Sequence, residues 1–146
     1  MEIRKMREED LQEVCRIEQQ TFSDPWSEED FRSSLNGANN GYLVAETNGI
    51  ITGYCGYWGI AGEGYIYNVA VKEEYRKQGI GLLMLKILLE ESKSRGIGSL
   101  TLEVRSSNSA AIHLYEALGF EKAGTRKDFY SKPKEDAVIM WLKLIQ

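Results

Sequence analysis

The run Arg76-Lys-Gln-Gly-Ile-Gly81 follows a β-branched stretch ending near Val71 and opens a long apolar segment. Backbone N–H groups at a helix start have no partners, and the helix dipole puts partial positive charge there. Gly79 and Gly81 remove side chains that would hold a ligand off that backbone, while Arg76 and Lys77 add full charge. The pattern suits a pyrophosphate, or it is an ordinary basic helix start. It is not a P-loop, because no Gly-Lys-Ser/Thr follows. It is not a dinucleotide fingerprint, because the third glycine and the downstream acid are missing.

Further residues could work beside such a seat. Glu103 alternates with Leu102 and Val104, as in a strand. A carboxylate there is either ion-paired, to Arg105 or Arg76, or a general base acting directly or through water. Tyr115 falls in an apolar helical stripe. It is core, or a phenol that protonates a departing thiolate of pKa about 8.5. Asn108 stands where it would cap that helix. A phosphate seat, a carboxylate and a phenol around one cleft suit group transfer from a phosphate-bearing carrier. Cys15 and Cys55 lack metal spacing and read as small buried hydrophobes, and the lone His113 reads as surface, so no metal site is expected.

Elements of both kinds must position these groups. Glu2–Met6 reads as a strand and Glu8–Phe22 as a helix with Leu11, Val14, Cys15, Glu18 and Phe22 near one face. Asp24-Pro-Trp26 ends it, and Ser27 with Asp30 predicts a capping box on a second helix. Trp26 either staples onto Phe31 or lines a cleft. Tyr42–Thr47 and Ile50–Ile60 read as strands about an Asn48-Gly49 hairpin turn. Gly53, Gly56 and Gly59 predict bulges or the close approach of something flat. Gly62-Glu-Gly64 reads as a turn into the strand Tyr65–Val71. A helix over Gly79–Arg95, a strand over Ser99–Arg105 and a short helix over Ala110–Leu118 follow. Phe120–Thr125 and Val138–Leu144 read as a closing strand pair around a polar segment, Arg126–Asp136. An antiparallel meander followed by one β-α-β crossover is an α+β domain, with a mixed sheet of about seven strands and helices on both faces. Ligands collect where the two parallel strands diverge.

The totals narrow the class. At 146 residues, 42% hydrophobic and 27% charged, the chain suits one soluble domain over 1–146. Nothing in it is apolar enough to span a membrane or to act as an export signal, so a cytoplasmic location is expected. A net charge of −4 without a basic stripe argues against direct nucleic-acid binding.

Arg76-Lys-Gln-Gly-Ile-Gly81 resembles the Arg/Gln-x-x-Gly-x-Gly/Ala signature of the GCN5-related N-acetyltransferases, and the order of elements resembles that fold along essentially the whole chain. Leu102–Phe120, Pro25-Trp26-Ser27 and Asn68-Val-Ala-Val71 resemble the RimI subfamily, which acetylates the N-terminal alanine of a small-subunit ribosomal protein. The resemblance implies an acetyl-CoA-dependent enzyme with direct transfer in a ternary complex. It implies that Val69, Ala70 and Val71 meet the acetyl-pantetheine arm, with an N–H near Val69 polarising the thioester. It implies that Arg76, Lys77, Gln78, Gly79, Ile80, Gly81 and Leu82 surround the pyrophosphate and that Asn108 bonds the arm. Glu103 then takes the amine proton and Tyr115 protonates the thiolate. Related enzymes vary in the segments matching Ser33–Gly41 and Arg126–Asp136. A peptide α-amine, with pKa about 8, is far more often neutral at pH 7 than a lysine amine of about 10.4, so it needs only modest help from a base. Lysine or small-amine acetylation, and a non-catalytic acyl-CoA sensor, stay open as alternatives.

Overall fold

The computed structural model describes residues 1–145. β1 (Glu2–Lys5) pairs antiparallel with β2 (Gly41–Thr47), and β2 runs through hairpin turns into β3 (Ile50–Ile60) and β4 (Glu63–Val71). The turns are Asn48-Gly49, at φ 51° and 80°, and Ala61-Gly62, at φ 53° and 81°. Two successive left-handed residues twist the chain in the sense that neighbouring strands need. The second turn thus comes earlier than Gly62-Glu-Gly64 predicts, and Glu63 and Gly64 already belong to β4.

A 3-10 turn at Glu8–Asp10 leads into α1 (Leu11–Thr21). α2 (Glu28–Leu35) starts from the expected capping box: the Asp30 N–H donates to Ser27 Oγ at 3.1 Å and the Ser27 N–H to Asp30 Oδ2 at 2.9 Å. α3 (Ile80–Ser94) crosses over to β5 (Ser99–Arg105), followed by α4 (Ser109–Ala117), β6 (Glu121–Ser131) and β7 (Lys134–Lys143). The seven strands form one sheet in the order β1-β2-β3-β4-β5-β7-β6, parallel only between β4 and β5. α1 and α2 bury Leu11, Val14, Ile17 and Phe31 on one face. α3 and α4 bury Met84, Leu85, Leu88 and Ile112 on the other. No described helix is long and apolar enough to cross a membrane.

The final hairpin corrects the sequence expectation. Arg126–Asp136 is not a polar link between two short strands, because β6 continues to Ser131 and β7 begins at Lys134. β6 is an edge strand exposed along nearly its whole length. It therefore carries no apolar alternation, the signal by which strands are read. Backbone pairing with β7 holds it, with register breaks at Lys122/Gly124 and Arg126/Tyr130.

Gly56 shows what the glycines of β3 do. A Cβ built there would lie 2.1 Å from the Tyr42 ring, so the flat object that approaches is a cross-strand aromatic. Gly56→Ala is expected to destabilise the protein by about 1–3 kcal/mol, the usual cost of overpacking. Urea unfolding would show it as a lowered midpoint at unchanged slope.

Candidate active site

β4 and β5 run side by side only from Glu63↔Ser99 to Ile66↔Leu102. Beyond that β4 stays with β3, β5 stays with β7, and a gap opens between them. A bulge sits at the parting point: Gly56 pairs with Asn68 but the next residue, Tyr57, pairs with Ile66, so Tyr67 is extra. The bulge resets the alternation of β4. Tyr65 and Tyr67 border a cavity on the α1 face, Asn68 and Ala70 point to the same face, and Val69 and Val71 pack on the α3 face.

The edge of β4 in the gap is unpaired. The Lys72 N–H donates to the Thr52 carbonyl at 2.7 Å, so by strand alternation Ala70 bonds toward β3 while Val69 and Val71 turn their N–H and C=O groups into the gap. The Val71 carbonyl there accepts Arg76 Nε at 2.8 Å. Arg76 thereby ties the end of β4 to the loop that follows. Lys77, at φ 62°, and Gly79, at φ 81°, are left-handed, a backbone shape that gathers N–H groups into a concavity. The first bond within α3 runs from the Leu83 N–H to the Gly79 carbonyl, which leaves the N–H groups of Ile80, Gly81 and Leu82 free. Ile80 buries its side chain in the core, whereas Arg76, Lys77, Gln78 and Gly79 are exposed. A Cβ on Gly81 would stand 3.7 Å from both Leu114 and Val71, so the surroundings accommodate one. A backbone cradle with free donors and full positive charge fits a pyrophosphate.

Glu103 faces a cavity of about 520 Å³ bordered by Trp26, Tyr67, Phe129, Tyr130, Arg105 and Arg126 among others. Neither Arg105 nor Arg76 pairs with it. Arg126 of β6 does, with Nε 3.0 Å from Oε2. That N–H is poorly aligned, because the shielded Oε2 accepts no hydrogen bond. Arg105 instead pairs with Glu135 at 3.2 Å and covers the Tyr130 ring at 4.3 Å. Burial, then the Glu103 charge, pushes up the phenol pKa values of Tyr67 and Tyr130. The Trp26 ring lies 5.2 Å from Phe31, the contact the staple requires, and it also borders the cavity.

Tyr115 lies across the sheet, in the core beneath α4, edge-on to Phe120 at 5.6 Å. Burial pushes its pKa up, with smaller contributions from Cys55 and Tyr130. Asn108 caps α4, its Oδ1 accepting the Ala111 N–H at 3.1 Å, so its amide N–H groups are left over. Cys15 and Cys55 are buried and unpaired, and His113 is exposed. Sequence reasoning did not single out Glu18, a buried carboxylate at the cavity. The signal was an acid among the apolar residues of one helix face.

The acetyltransferase (GNAT) family profile matches residues 11–120. A Bacillus subtilis protein is 38% identical over 143 residues, 97% of this chain and 95% of its own length. The Escherichia coli ribosomal protein bS18-alanine N-acetyltransferase is 36% identical over 137 residues, 92% of each chain. A crystal structure of the Escherichia coli enzyme superposes with a TM-score of 0.91, covering 99% of this chain and 94% of the other.

Proposed function

The chain belongs to the GNAT family of acetyl-CoA-dependent N-acetyltransferases, and from that premise we propose that it acetylates the N-terminal alanine of a small-subunit ribosomal protein. Residues 1–146 work as one N-acetyltransferase domain, acting in the cytoplasm on a protein N-terminus. The relatives' named activity supports the acceptor, and the geometry of the gap supports the chemistry.

One observation carries the mechanism. Glu103 stands on one face of the sheet and Tyr115 on the other, and unpaired backbone at Val69 faces the gap between β4 and β5. A thioester seated in that gap meets an amine from the cavity side and loses its thiol toward the α3–α4 side. Lys77 to Leu82 hold the pyrophosphate, with Arg76 bracing the loop, and the backbone of Val69 and Val71, with Asn108, holds the arm. Ala70 between them bonds toward β3, which corrects it from an arm contact to a spacer. The Val69 N–H donates to the carbonyl oxygen as it gains charge. The amine nitrogen bonds to the carbonyl carbon while Glu103 takes its proton, directly or through one water. The carbon–sulfur bond then breaks, and the sulfur receives the Tyr115 proton. Acetylated amine and free thiol leave, with no acyl-enzyme. The open cavity has room for a chain end, and its lining carries both signs of charge, Asp24 and Glu103 against Arg105 and Arg126.

Free-thiol release from acetyl-CoA tests the acceptor. Peptides beginning with Ala, Ser, Met or Gly are compared with a blocked peptide bearing one lysine and with small amines. Turnover confined to Ala or Ser N-termini is expected. Turnover only on lysine or small amines would overturn the acceptor, and tight acetyl-CoA binding with no turnover anywhere would favour a sensor. The cradle has its own test. Gly81→Val places methyl groups where the backbone must approach the pyrophosphate, and acetyl-CoA affinity is expected to fall roughly tenfold or more. Unchanged titration calorimetry on the folded variant would refute the seat.

A further inference from the structure

Glu18 is a charged side chain that the reaction leaves unused. It sits on the apolar face of α1 with 2% of its surface exposed. Its Oε2 accepts the backbone N–H of Trp26 at 3.0 Å, and its Oε1 accepts the hydroxyl of Tyr54 in β3. Its own carbonyl accepts the Phe22 N–H at 3.0 Å. One residue thus ties both ends of the Phe22–Trp26 link between α1 and α2.

That link has no helix or strand of its own, yet it forms one wall of the cavity. Its other polar ties are exposed: Arg105 to Ser23 Oγ at 3.3 Å, and Lys132 to Asp24 at 3.9 Å. Exposed pairs of this kind hold a loop weakly. The Glu18 carboxylate is itself buried, with one oxygen held by Tyr54 of the sheet and the other on the Trp26 N–H, so it links the loop to a fixed element. Trp26 in turn packs 5.8 Å from Trp58 and 6.2 Å from Tyr67, the bulge residue at the mouth of the gap. A carboxylate is costly to bury here, and burial pushes its pKa up against the pull of Trp26, Tyr54 and Asn68. A leucine would fill the space without that cost, but would leave the Trp26 N–H and the Tyr54 hydroxyl unpaired.

We propose that Glu18 is a positioning residue for the acceptor: through the Trp26 backbone it sets the aromatic wall against which the acceptor's first residue seats. It does not bind the amine, because both oxygens are engaged inside the protein. The assignment rests on the N-acetyltransferase reading of the cavity but not on alanine as the acceptor. The test therefore uses whichever acceptor the wild-type protein turns over, and a failure of the alanine reading leaves it intact.

Glu18→Leu combined with Tyr54→Phe removes the tie without stranding a hydroxyl. The acceptor KM is expected to rise roughly tenfold while kcat and the acetyl-CoA KM stay within about threefold. Glu18→Gln keeps an acceptor for the Trp26 N–H and is expected to recover most of the acceptor KM. An unchanged acceptor KM in the double variant would overturn the proposal, as would a joint loss of all three parameters. Equal damage in Glu18→Gln would also overturn it, since the charge itself would then be the requirement. Amide exchange on the wild-type protein needs no core replacement. Protection of the Trp26 N–H comparable to the last turn of α1 is expected, and exchange at open-loop rates would refute the anchor.

Discussion

Glu103→Gln is expected to lower kcat by about 100-fold or more while leaving acetyl-CoA affinity nearly unchanged. Glutamine has the size and shape of the glutamate it replaces, so β5 and its pairing with β7 are undisturbed. Glu103 lies on the cavity face, away from the cradle at the start of α3. What is lost is the capacity to accept a proton, and general-base catalysis is typically worth 10²–10⁴-fold. Arg126 supplies a control. Its pairing with Glu103 is an ion pair with a half-exposed partner, worth at most about 1 kcal/mol, so the variant should unfold within a few degrees of the wild type. Thiol release with both acetyl-CoA and the acceptor saturating measures kcat, and calorimetry measures acetyl-CoA affinity. Wild-type turnover in the glutamine variant would remove Glu103 from the reaction and leave it as the partner of Arg126.

Tyr115→Phe is expected to cost a similar factor, roughly 10²-fold in kcat, with little change in stability. The structure separates this outcome from a packing effect. The ring carries the contact with Phe120 and the burial beneath α4, and phenylalanine keeps both. Only the hydroxyl goes, and it takes part in none of the side-chain hydrogen bonds among the described residues. Because burial raises the phenol pKa, the proton stays on Tyr115 at neutral pH and is present as a donor when the thiolate departs. If kcat is unchanged while the protein folds normally, Tyr115 is a core residue and the thiolate leaves unprotonated or takes its proton from water.

Much of this organisation was legible in the chain because it depends on near neighbours. The Ser27–Asp30 capping box, the Asn48-Gly49 turn, the glycine before α3 and the alternation of β5 are each written within a few residues. Their physics is local: one side chain on one N–H, or one φ angle only glycine or asparagine adopts easily. The same locality made Glu103 visible as an acid in an alternating strand and Tyr115 as a phenol in an apolar helical stripe. It failed for β6, whose strand state comes from β7 alone, and for Glu18, whose partners are Trp26 across a loop and Tyr54 in another strand.

The sequence by itself determined the order of the elements, the basic, glycine-flanked start of α3 and the placing of an acid on β5 and a phenol on α4. Tertiary structure alone decided where β4 and β5 part, and that a bulge at Tyr67 turns Tyr67 and Asn68 to the same face. It also decided that Arg126, rather than Arg105 or Arg76, meets Glu103. Helix caps and strand alternation are set by atoms a few bonds away. Register, bulges and ion partners are set by chain segments that meet only after the sheet has closed, so no short stretch of sequence contains them.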